Sequence, residues 1–222
     1  LERAPIEPDL TSPWNKNVWL FGLRTPFSLV FIGWITLSQT LVLNFNIEIY
    51  LYTILAAFFG LVIGAHYIDI ATSKEKFSPF FNIPIKKMLG IGIIAVAIGT
   101  LIGVYVAVRW NIFFLVFVAT ESFAAIAYPR ETPKFIHSYF SFGLTWGTIP
   151  FLASFYIQSS TLNLIVLGLS VFVGISVVMM HHLAIMSRDS SAWKDALYLL
   201  KLYRYSVYSI ALLTLLSRLF SI

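Results

Sequence analysis

Cysteine is missing from all 222 residues, and charge is scarce, with Asp, Glu, Lys and Arg together making up 11% of the chain. Without thiols there is no disulfide framework and no thiolate metal site, and redox compartment cannot be read from cysteine usage. With so little charge set against 59% hydrophobic residues and a mean hydropathy of +0.84, a soluble domain would lack the polar surface to cover itself. The first 18 or so residues have no apolar core of the kind a signal peptide needs. With Pro5, Pro8, Pro13 and mixed charge, residues 1–18 read as an interfacial N-terminal arm.

What the chain does have is a succession of long apolar runs. Backbone N–H and C=O groups find no water in hydrocarbon, so only helices or closed barrels can span it, and these runs are too long for barrel strands. The predicted fold class is all-α, a polytopic helical bundle of about seven spans, each near 20 residues to cross roughly 30 Å of hydrocarbon. The spans fall near Pro26–Leu43, Ile49–Ile68, Met88–Val108, Ile112–Tyr128, Ser138–Ile157, Leu162–Met186 and Tyr198–Leu219. Residues 19–222 then form one transmembrane domain with no room for a second.

Charge sets the expected orientation. Of the 15 basic residues, 13 flank the N-terminus or the even-to-odd connections, leaving Arg109 and Arg218 on the other side. The positive-inside rule makes the richer side cytoplasmic, with the N-terminus there, in a multi-pass protein of the cytoplasmic membrane. The same rule accounts for the net charge of +5, so nucleic acid is not a predicted partner. Trp14, Trp19, Trp110 and Trp193 lie near span ends, where amphipathic rings anchor at headgroup level.

Gly60 and Gly64, Gly99 and Gly103, and Gly143 and Gly147 form small-xxx-small pairs that let backbones approach closely in a membrane. Ionisable groups at membrane depth are costly, which singles out His66, Asp69, Glu121, His181 and His182. His66 and Asp69 are three residues apart and so share a helix face. Asp189 lies seven residues past His182, nearly two turns on if the helix continues. A metal site at His66, Asp69, His181 and His182 would suit a transition metal better than magnesium; the alternative is that these histidines fasten helices by hydrogen bonds. For Glu121 the favoured reading is a structural hydrogen bond, with no partner nameable. His137, beside Lys134, reads as a solvated interfacial residue.

The residues also carry a family resemblance. GAHYIDIATS at Gly64–Ser73 is similar to the first aspartate motif of the UbiA superfamily of membrane prenyltransferases, N-D-x-x-D-x-x-x-D. Asp69 is retained, His66 stands at the preceding aspartate position and Ser73 at the last. AYPRETPK at Ala127–Lys134, with FGLTWGTIP and FLASFYIQ over Phe142–Gln158, resembles the family's middle helices. HHLAIMSRD at His181–Asp189, followed by WKD at Trp193–Asp195, looks like the second motif, with Ile185 and Asp189 at its two acidic places. The family typically has nine helices, so the resemblance leaves two without a counterpart here.

The resemblance implies a cavity at the cytoplasmic end between the second and sixth helices. There the family's acids hold magnesium ions that neutralise a departing diphosphate. Asp69 and Asp189 are the candidate catalytic residues, but they offer too few hard oxygen ligands for two magnesium ions. Lys74, Lys76, Arg188 and Lys194 are candidates for holding a lipid headgroup or diphosphate. The leading expectation is a catalytically degenerate UbiA-like accessory subunit of a larger membrane complex, partnered by the lipid bilayer, other membrane subunits and an isoprenoid lipid or quinone. The alternatives are an active prenyltransferase with magnesium as cofactor and a subunit with a histidine-ligated transition metal.

Overall fold

The computed structural model describes residues 25–72, 85–129, 138–186 and 193–220, and every regular element among them is helical. Seven helical stretches run in chain order: α1 Thr25–Thr40, α2 Ile47–Thr72, α3 Ile85–Trp110, α4 Ile112–Ala127, α5 Tyr139–Ser159, α6 Leu164–Met186 and α7 Trp193–Phe220. Each coincides with one of the apolar runs. Five of them, α2, α3, α5, α6 and α7, are long and apolar enough to cross a membrane. As described, α1 has 16 residues, about 24 Å at 1.5 Å per residue, and α4 falls in the same shorter class.

Local chemistry explains the boundaries. Asn46 caps α2, its side chain accepting from the N–H groups of Glu48 and Ile49. Asn111 caps the first turn of α4 in the same way through Phe113. Both supply an acceptor to N–H groups that have no partner within the helix. Pro129 follows α4 directly and disfavours further helix. Within α5, residues Leu144–Thr148 form a wide π turn, closed by Ile149 N–H donating to the Leu144 carbonyl. Pro150 has no N–H to return to Trp146, which removes the ordinary bond at this point. A second π segment, Phe58–Ala65, lies within α2.

Close approach between α2 and α3 needs glycine. A Cβ on Gly99 would stand 2.6 Å from the Gly60 nitrogen and 2.7 Å from the Ala56 carbonyl oxygen. Between α5 and α6, a Cβ on Gly147 would stand 2.7 Å from the Gly174 Cα. Helix α1 packs against α5 and α7, and α6 lies between α5 and α7. The main core gathers Phe31, Ile68, Phe142, Trp146, Phe151 and Val177. Large apolar side chains nevertheless cover much of the outside, with Leu43 88% exposed and Phe220 84%, as a lipid-facing surface requires.

At the Asn46 end of the bundle, polar groups fasten the helices. Gln158 donates to the Gln39 side chain and to the Asn46 carbonyl, both at 2.9 Å, and accepts from Asn46 N–H at 3.0 Å. Arg218 donates to the Thr40 carbonyl at 2.9 Å. Arg109, one of the two basic residues left on this side, pairs with Glu48 at 2.7 Å and lies over the Trp110 ring at 4.6 Å.

Candidate functional site

At the opposite end, α1, α2, α5 and α6 meet through rings. His66 is 2% exposed, lies parallel to Trp146 at 5.2 Å and 11°, and meets Phe27 edge-on at 5.6 Å. Phe142 connects this stack to α6, its ring 4.5 Å from that of His181. The space between the second and sixth helices is therefore occupied by aromatic side chains of α5. Asp69, one turn past His66, is also buried. Nearby, Thr72 ties the end of α2 to that of α4 by donating to the Pro129 carbonyl at 2.9 Å.

His181 and His182 do not act as a pair. Adjacent helical residues diverge by about 100°; here both histidines lie edge-on to Tyr139, but His181 also turns toward Phe142 while His182 is exposed. Among the described residues no three His, Cys, Asp or Glu side chains gather as a metal-binding group, so His66, Asp69, His181 and His182 do not assemble into one. Lys74, Lys76, Arg188 and Asp189, with the arm at residues 1–18 and His137, lie outside the described residues. Lys194 falls in the first turn of α7, and its side chain is likewise outside the description.

A second site lies deeper. A half-open cavity of about 90 Å³ lies among α1 to α5, lined mostly by small and apolar residues such as Ala57, Gly60, Gly99 and Val118. Its polar lining is Thr53, Thr100, Glu121, Ser122 and Ser154. Thr53 donates to the Ile49 carbonyl at 2.7 Å and Ser154 to the Pro150 carbonyl at 2.6 Å. Thr100 donates to the Val96 carbonyl at 2.8 Å, so in its 2.7 Å contact with Ser122 the serine is the donor. Every hydroxyl hydrogen is thus engaged. Glu121 differs: both carboxyl oxygens are buried and have no hydrogen-bond partner among the described residues.

The structural hydrogen bond expected for Glu121 is therefore not found among the described residues. The sequence marks the residue as an intramembrane acid, but only packing reveals that α2 and α3 present glycine, alanine and already-bonded hydroxyls to it. A recognisable signal was present in Ala56-Ala57, Gly60, Gly99 and Gly103, small residues at helical spacing that leave room as well as permit contact.

An all-helical chain with five helices of this length and composition fits a multi-pass membrane protein in contact with a lipid bilayer. No protein-family model matches the chain, and comparisons with curated proteins and with solved structures give no match.

Proposed function

We propose that this chain is a catalytically degenerate, UbiA-like membrane protein, an accessory subunit of a larger membrane complex that holds a lipid or quinone within its bundle. In this reading all seven helices belong to the membrane domain, α1 and α4 included, and the N-terminus faces the cytoplasm because 13 of the 15 basic residues fall on that side. The observation that carries the proposal is the half-open cavity among α1 to α5, apolar on most of its wall and bearing one acid without a hydrogen-bond partner among the described residues. Such a combination of apolar lining and few polar groups is how membrane and soluble proteins alike receive amphiphilic ligands. The ring stack of His66, Trp146 and Phe142 stands where a diphosphate cradle would need carboxylates.

Purification from native membranes in mild detergent tests both halves. The expected result is a stoichiometric partner subunit and a co-purifying neutral lipid detected by mass spectrometry. A protein that runs alone under all extraction conditions overturns the subunit role. Turnover of labelled prenyl diphosphates with divalent metal, abolished by Asp69→Asn, would replace degeneracy with catalysis.

A further inference from the structure

We infer that Glu121 anchors the hydroxyl end of a long-chain alcohol lipid in the cavity among α1 to α5. The inference rests on the lipid-holding reading above and narrows it from lipid or quinone to one head-group chemistry. A carboxyl group buried without a donor must either bring its own proton or receive one from a ligand. An alcohol meets both needs, because its hydroxyl donates one hydrogen bond and accepts others. Charged head groups do not: the lining carries no cation beside Glu121, and a phosphate would set anion against acid.

Size narrows the ligand further. An engineered apolar cavity of roughly 150 Å³ takes up benzene, whereas this one measures about 90 Å³. The hydroxyl end of a chain is narrower than a quinone ring and enters a space of this size more readily. The hydroxyls of Thr100 and Ser122 keep their hydrogens for Val96 and each other, so the ligand's hydroxyl meets Glu121 without competition. Gly60 and Gly99 line the wall where the chain enters van der Waals contact with backbone.

The full-length protein, purified in dodecyl maltoside, is treated with dicyclohexylcarbodiimide, a lipid-soluble reagent that modifies buried carboxyl groups, and modification is read by peptide mass spectrometry. Glu121 is expected to be modified, at least fivefold more slowly with saturating farnesol or oleyl alcohol and at an unchanged rate with decylubiquinone. The relative potency of the two alcohols distinguishes an isoprenoid from an acyl source. Glu121→Gln, which keeps a donor and an acceptor, should retain the rise in unfolding temperature that farnesol produces, and Glu121→Leu should lose it. If the leucine variant does not fold, the modification assay and the glutamine variant still decide. No modification of Glu121, modification that neither alcohol slows, or stronger protection by decylubiquinone overturns the inference. The last outcome leaves the lipid-or-quinone reading standing with a different head group, and none of them touches the subunit role, which co-purification decides.

Discussion

Gly99 and Gly60 face each other across the α2–α3 contact, yet the structure makes them unequal. A Cβ on Gly99 would meet three backbone atoms of α2 at 2.6 to 2.8 Å, the Gly60 nitrogen and Cα and the Ala56 carbonyl oxygen. Backbone cannot rotate away, so Gly99→Ala must push the two helices apart by several tenths of an ångström along their tightest seam. Overpacking of this kind costs about 3 kcal/mol at the upper end of its usual range, and the better helix propensity of alanine returns about 1 kcal/mol. The net expectation is a loss of about 2 kcal/mol. A Cβ on Gly60 would find only the Gly99 Cα, at 3.9 Å, an ordinary contact, so Gly60→Ala should be neutral or stabilising by up to about 1 kcal/mol. Equilibrium unfolding in mixed SDS and dodecyl maltoside micelles, followed by circular dichroism, measures both. Equal destabilisation by the two variants, or none from Gly99→Ala, would refute the packing argument.

Other perturbations follow from named contacts. Gln158→Leu removes a donor and an acceptor that join α1, the α2 cap and α5; a loss of about 1–3 kcal/mol is expected, and an unchanged unfolding midpoint would contradict it. Glu48→Gln breaks an ion pair whose partners are 45% and 43% exposed, so any fall in the unfolding midpoint should be slight at low salt and vanish in high salt, as salt-dependent unfolding curves would report. His66→Ala takes a buried ring from between Phe27 and Trp146 and should cost about 3 kcal/mol with a shift in Trp146 emission. His66→Phe should recover part of that stability through its ring contacts; no recovery over His66→Ala would contradict the stacking contribution.

Much of the architecture was readable before any coordinates. All seven apolar runs became helices, because backbone groups in an apolar chain leave no other choice; the caps at Asn46 and Asn111 emerged only from the structure. The site was less legible. His66 and Asp69 do share a buried stretch of α2, as their spacing implied, but the partner of His66 turned out to be Trp146 from α5, a ring that spacing along α2 and α6 does not bring to mind. His181 and His182, adjacent in sequence, share Tyr139 as a neighbour, but only His181 reaches Phe142.

The amino-acid order alone thus determined the helical stretches and the apolar character that lets the five longest cross a membrane, since these follow from local backbone chemistry and the solvent the side chains require. Tertiary packing decided the rest. It set which glycine of a facing pair tolerates no Cβ, how Arg109 found Glu48 across 61 residues of chain, and that Glu121 lies against a cavity instead of a donor. Those outcomes depend on where neighbouring helices come to rest to within a few tenths of an ångström, which no residue encodes by itself.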